Sequence, residues 1–96
     1  DLVITGEGSI DFQTVYNKAP IGVARMARAR GIPTIGISGM LGKNYQIVHN
    51  HGIDAALSIA NGPISLEESL QNAPSLISEA VEESLRLISV GMKLRN

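Results

Sequence analysis

Three short apolar runs, each leading into glycine and then into helical periodicity, confine this chain to an α/β fold. The runs are Leu2-Val3-Ile4-Thr5, Thr34-Ile35-Gly36-Ile37-Ser38 and Ile53 to Ala60. Rich in Cβ-branched residues and apolar on both faces, they suit buried parallel strands. Between the first two lies Lys18-Ala19-Pro20-Ile21-Gly22-Val23-Ala24-Arg25-Met26-Ala27-Arg28-Ala29-Arg30-Gly31. Pro20 suits a first helical turn, where its missing N–H is not needed. Val23, Ala24 and Ala27 share a face away from Arg25 and Arg28. Gly22, Ala24 and Ala27 are small enough to seat this helix close to a sheet. Gly31 stops it, and Pro33 forbids continuation. Tyr45 to Asn50 predicts a short helix capped by Asn44, with Ile47 and Val48 packed inward and Gly52 at its end. Asn61-Gly62-Pro63 breaks the chain after the third strand. Ser65-Leu66-Glu67-Glu68 is then a capping box for a short helix ending near Asn72. A longer helix restarts at Ala73-Pro74-Ser75. Leu76/Ile77, Ala80/Val81, Ser84 and Leu87/Ile88 keep helical spacing to Val90, with Glu79, Glu82 and Glu83 on a solvated face and Gly91 at the end.

The resulting order is β-α-β-α-β-α-α. Strands alternating with helices make a parallel sheet with right-handed crossovers. Three strands cannot close both faces and an edge, so residues 1–96 read as part of a larger Rossmann-like three-layer domain. The first strand is expected to pair with strands outside this stretch, or to offer its bare edge to a second copy as a homodimer. The chain begins at Asp1, without Met, and is in a strand by Leu2. It therefore reads as a piece of a longer protein.

Composition narrows the function classes. The chain has 96 residues, a formal net charge of −1 and no Cys. Near-neutral charge argues against a nucleic-acid binder. Phe12, Tyr16 and Tyr45 are the only aromatic residues, too few for a base-stacking platform. The absence of Cys removes disulfides, thiolate nucleophiles and Cys-based zinc sites, in keeping with a cytoplasmic protein. No apolar run approaches the ~20 residues of a membrane span, and no basic-then-apolar leader opens the chain. Basic residues outnumber acidic ones in residues 1–52, with Lys18, Arg25, Arg28, Arg30 and Lys43 against Asp1, Glu7 and Asp11. That bias on the glycine-rich half suits an anionic ligand.

The chemistry gathers in Thr5-Gly6-Glu7-Gly8-Ser9-Ile10-Asp11-Phe12-Gln13-Thr14. Read as a loop from Gly6 to about Asn17, it lies beyond a strand's C-terminal end, where open α/β sheets bind ligands. Gly6 and Gly8 let a ligand approach the main chain. The same composition also serves plain turn chemistry and helix capping. A helix N-terminus with Lys18 beside it attracts phosphate or carboxylate. A carboxylate nearby can hold Mg²⁺ or take a proton from a substrate hydroxyl. Gly6, Glu7, Gly8, Asp11, Gln13, Thr14 and Lys18 are thus candidates for phosphoryl transfer or for binding a small acidic metabolite. Ser38, at the end of the second strand, is either a ligand contact or a turn residue. Other motifs fall away. Gly6-Glu7-Gly8 does not extend to G-x-G-x-x-G, since Asp11 takes the last position, and Gly42-Lys43-Asn44 only resembles the end of a Walker A sequence. His49 and His51 are too few and poorly spaced for a metal site.

Thr5-Gly6-Glu7-Gly8-Ser9-Ile10-Asp11-Phe12-Gln13-Thr14 followed by Lys18-Ala19-Pro20-Ile21-Gly22-Val23-Ala24 closely resembles the bacterial glycerate kinase family. The likeness continues through Gly31-Ile32-Pro33 to Gly39 and into Leu66-Glu67-Glu68-Ser69-Leu70. Asn17 stands where the family pattern has Gly. The resemblance implies a longer enzyme of two α/β domains with the active site in the cleft between them, of which this chain is the C-terminal end. It implies ATP and Mg²⁺ as cofactors, D-glycerate as substrate and a phosphoglycerate as product. Residue by residue, it implies Asp11 nearest the reacting hydroxyl, as base or Mg²⁺ contact. Lys18 would stabilise phosphate charge, and Glu7, Gln13 and Thr14 would orient substrate or nucleotide. A non-catalytic metabolite- or nucleotide-binding module, or a flavodoxin-like binder, are the competing readings.

Overall fold

A computed structural model of the chain describes residues 1–60 and 62–95 and, for Lys18, the main chain only. Asn61, part of the expected chain break, lies outside the described residues. The elements are β1 (Val3–Ile10), a first 3₁₀ helix (Phe12–Tyr16), α1 (Lys18–Ala29), β2 (Thr34–Leu41), a second 3₁₀ helix (Tyr45–His51), β3 (Ala55–Ser58), α2 (Leu66–Gln71) and α3 (Ala73–Leu94). The strands form one parallel sheet in the order β1-β2-β3. The chain is therefore α/β, with the expected three-strand parallel sheet. It divides into two compact units, Asp1–Ser58 and Ile59–Asn96.

In the first unit, β1 runs five residues further than expected. The supposed loop from Gly6 to Ile10 is strand, paired in register with β2 as Gly6↔Ile37, Glu7↔Ser38, Ser9↔Met40 and Ile10↔Leu41. Two glycines in five residues suggest a turn, yet neither Gly6 nor Gly8 adopts a positive φ. The extended β2 supplies their ladder partners, and pairing overrides the weak strand propensity of glycine. Nor is β1 buried on both faces, since Ile4 is 40% exposed on this edge strand. In the central strand, Thr34 through Ser38 are all buried.

The core of this unit is Ile10, Ile21, Ala24, Val48 and Ile53, with Val15, Leu41, Tyr45 and Ala56 packed against it. Gly36 admits it to the sheet, because a Cβ there would lie 2.9 Å from Ile10 Cδ1 and 3.2 Å from Ile53 Cγ2. On α1 the buried stripe is Ile21, Ala24 and Ala27, while Val23 faces out. Asn17 joins the first 3₁₀ helix to α1 at φ −87°, ψ 114°. Any residue adopts that extended conformation, so Asn in place of Gly costs no strain there.

The Tyr45 segment is 3₁₀ rather than α. Its period of three brings Tyr45 and Val48 to the core and leaves Ile47 outside. Asn44 does not cap it; the residue is left-handed (φ 55°) and its side chain makes no cap bond. Gly52 ends it at φ 102°. β3 is shorter than the Ile53–Ala60 run suggested. At the N-terminal end of the sheet, Arg28 donates to the carbonyls of His49 (2.9 Å) and Asn50 (3.2 Å). Asp54 Oδ2 accepts the Thr34 N–H at 2.8 Å. These bonds tie the end of α1 to the second 3₁₀ helix and β3 to β2.

In the second unit, Ser65 Oγ accepts the Glu68 N–H at 3.1 Å, which makes the N-cap of α2. Leu76 and Ser84 are the buried positions of α3, and the Ser84 hydroxyl donates to the Ala80 carbonyl of its own helix. Leu87 and Val90, expected on the apolar stripe, are exposed. Gly91 does not end α3, which continues to Leu94. A glycine stops a helix by turning left-handed, and Gly91 has no positive φ. Among the described residues, no helix is long and apolar enough to cross a membrane.

Candidate functional site

Because β1 is long, the residues singled out from the sequence do not form one loop. Gly6, Glu7 and Gly8 lie within the strand, while Asp11, Gln13 and Thr14 follow its C-terminal end. Glu7 and Asp11 are four positions apart across extended chain, about 13 Å along the strand axis. The two carboxylates therefore do not act as a close pair. Lys18 opens α1, separated by Asn17 alone from the 3₁₀ helix that follows Asp11; its side chain lies outside the described part of the structure.

Asp11 is held by a reciprocal cap. Its Oδ1 accepts the Gln13 N–H at 2.8 Å, and Thr14 Oγ1 accepts the Asp11 N–H at 2.9 Å. Thr14 is buried, so its hydroxyl serves the cap, while the Gln13 side chain is exposed. The capping reading and the functional reading of this stretch thus meet in one residue. The cap fixes the Asp11 main chain and one carboxylate oxygen while the carboxyl group stays partly open to solvent. Valine at position 14 keeps the shape and removes the acceptor, leaving the Asp11 N–H unpaired. Thr14→Val is expected to cost about 1–2 kcal/mol of stability, read as a lower urea midpoint.

β2 supplies a second set of residues that sequence reasoning did not place here. The main chain continues the pairing past the strand ends: Gly42 N–H donates to the Ile10 carbonyl at 2.7 Å and Phe12 N–H to the Lys43 carbonyl at 3.1 Å. Gly42 lies against Asp11, and a Cβ on Gly42 would fall 2.9 Å from Asp11 Cβ. Gly39 lies against Gly8, whose carbonyl oxygen would be 2.9 Å from a Cβ at position 39. Gly6 and Gly8 are exposed and lie on one face of β1, so the strand end carries a strip of bare main chain. The signal available beforehand was the second glycine pair in Ser38-Gly39-Met40-Leu41-Gly42. Its partner across the sheet could not be read from the chain alone.

Other candidates take structural roles. Ser38 is almost fully buried, and its hydroxyl donates to the Met40 carbonyl at 2.9 Å, with the Leu57 carbonyl 3.4 Å away. His49 Nδ1 lies 2.8 Å from the Ile53 carbonyl, and its ring meets Tyr45 edge-on. Among the described residues, no three His, Asp or Glu side chains gather where a metal ion could sit. A hollow of about 220 Å³ is lined by Arg28, Gly31, Ile32, Pro33 and Asp54. It lies at the N-terminal end of the strands, away from the end where α/β sheets take ligands.

A sequence profile described as the Glycerate kinase family matches residues 1–89, from before β1 to within α3. The chain belongs to the glycerate kinase family. It is 54% identical over 80 residues to a protein named glycerate kinase from Halalkalibacterium halodurans, covering 83% of this chain and 21% of that one. It is 46% identical over 94 residues to a glycerate kinase of Bacillus subtilis, covering 98% of this chain and 24% of that one. It is 41% identical over 92 residues to a protein named glycerate 2-kinase from Escherichia coli K12, covering 96% and 24%. The chain thus spans between a fifth and a quarter of the length of these glycerate kinases. The family match takes in Asp11, Lys18 and Gly42 alike.

Proposed function

We propose that this chain is the C-terminal part of a glycerate kinase and forms one wall of its phosphoryl-transfer cleft. In this reading the complete enzyme moves the γ-phosphate of ATP to a hydroxyl of D-glycerate, releasing ADP and a phosphoglycerate. The observation that carries the reading is the capped Asp11, held at the C-terminal end of β1 within a stretch matched by the family. Asp11 takes the proton of the attacking hydroxyl, since a carboxylate fixed on one oxygen keeps the other free to accept. Lys18, at the first position of α1, adds positive charge to a helix end that already favours phosphate. The bare main chain at Gly6 and Gly8 leaves room for ligand atoms beside the strand, and Gln13 and Glu7 orient substrate or nucleotide. Mg²⁺ bound with ATP would neutralise phosphate charge. A carboxylate with one free oxygen would also suit such an ion, which commonly takes one or two carboxylates plus substrate phosphates; in that alternative assignment Asp11 would hold Mg²⁺ in place of acting as base. The outer edge of β1 then pairs with strands of the remaining domain rather than with a second copy.

The test is an ADP-release assay on the complete enzyme with ATP, Mg²⁺ and D-glycerate, with the product resolved by ³¹P NMR. Glycerate-dependent ADP release with formation of a phosphoglycerate is expected. The relative named glycerate 2-kinase makes the 2-hydroxyl the first position to assign. Binding of ATP or glycerate without turnover would instead identify a non-catalytic binding module.

A further inference from the structure

We propose that Gly42 is a positioning residue for Asp11. The turn that follows β2 is the floor on which the carboxylate is set, and it must lack a side chain at this point. Three observations meet there. Gly42 N–H donates to the carbonyl of Ile10, immediately before Asp11, at 2.7 Å. The carbonyl of Lys43 accepts the N–H of Phe12, immediately after Asp11, at 3.1 Å. A Cβ on Gly42 would lie 2.9 Å from Asp11 Cβ, 3.5 Å from Oδ2 and 3.7 Å from Cγ. Carbon atoms in contact sit about 3.5–4.0 Å apart, so a methyl group at position 42 must push Asp11 away. Rotation about χ1 cannot relieve the contact, because Cβ is placed by the main chain itself. That main chain is held on both flanks by the turn and from the other side by Thr14, whose Oγ1 accepts the Asp11 N–H and whose N–H donates to the Asp11 carbonyl. Gly42 has no positive φ, so alanine meets no backbone strain and acts through this contact.

The inference rests on the reading of Asp11 as the group at the reacting hydroxyl, and the experiment separates the two. The complete enzyme is assayed as wild type, Gly42→Ala, Asp11→Asn and the double variant. Gly91→Ala, which meets no atom within 4 Å, serves as control. Gly42→Ala is expected to lower kcat by about tenfold or more, as a displaced catalytic group does. With Asp11 acting as base and not as Mg²⁺ contact, KM for ATP stays near the wild-type value, because ground-state binding is then untouched. In the Asp11→Asn background, Gly42→Ala adds no further loss, since its effect passes through that carboxylate. Unchanged kcat in Gly42→Ala, or the same fractional loss in both backgrounds, overturns the positioning role. Wild-type kcat in Asp11→Asn overturns the assignment of Asp11 instead. If Gly42→Ala does not fold, Asp11→Gly/Gly42→Ala decides. Recovery of the fold places the clash at Asp11 Cβ, and continued failure refutes it.

Discussion

Asn at position 11 is expected to lower kcat of the complete enzyme by about 10²–10⁴-fold, the usual worth of a general base, with the fold intact. The contrast follows from what the side chain does twice. As a cap, Asp11 needs only an oxygen to accept the Gln13 N–H at 2.8 Å. Asn supplies one, and Asn and Asp are nearly equal at N-cap positions. The Asp11 N–H keeps Thr14 Oγ1, because that bond involves the main chain. As a base, the residue must accept a proton, which an amide does not do. Steady-state ADP release at saturating D-glycerate reads the role as base, and thermal melting by circular dichroism reads the role as cap. A variant that melts normally and turns over within about threefold of wild type has lost no catalytic interaction, and Asp11 would then be a cap and nothing more.

The largest stability effect is expected at Gly52. It ends the second 3₁₀ helix with φ 102°, where its N–H donates to the Val48 carbonyl. An L-residue is strained in that region by about 1–3 kcal/mol. The space is closed as well. A Cβ would meet Ala24 O at 2.9 Å, Ala24 C at 3.0 Å and Ala24 Cβ at 3.1 Å. Two of these are main-chain atoms of α1 and cannot swing aside, so overpacking adds about 1–3 kcal/mol. Gly52→Ala should therefore lose roughly 2–6 kcal/mol, seen as a large drop in urea midpoint. Gly36→Ala is the matched comparison. Its new methyl meets the ends of the Ile10 and Ile53 side chains, and its φ is not positive, so its loss is expected to be clearly smaller. Equal losses at the two sites would show that backbone strain at Gly52 contributes little.

Local pattern carried much of the architecture. Pro20 and Gly31 bracket α1 because one lacks an N–H and the other accepts a left-handed turn, at φ 69°. Ser65 caps α2 for the same local reason: its oxygen reaches a main-chain N–H three residues on. The run Thr34 to Ser38 is buried as its composition demands. Such features depend on a few consecutive residues, so sequence alone settles them. Sequence also marked Asp11 and the glycines around it as exceptional.

Pairing and packing decided the rest. The strand state of Gly6 to Ile10 depends on partners more than thirty residues away in β2, and no local preference encodes them. The inward turn of Val48 with the outward turn of Ile47 follows from a 3₁₀ rather than an α period, itself set by packing against the core. Gly39 and Gly42 read as turn glycines, yet they lie against Gly8 and Asp11 across the sheet. By itself the sequence determined the α/β class, the bounds of α1 and the N-cap of α2, and it singled out the stretch around Asp11. Only the tertiary structure separated Glu7 from Asp11 and set Gly42 beneath that carboxylate, because the register of a sheet is a property of two strands.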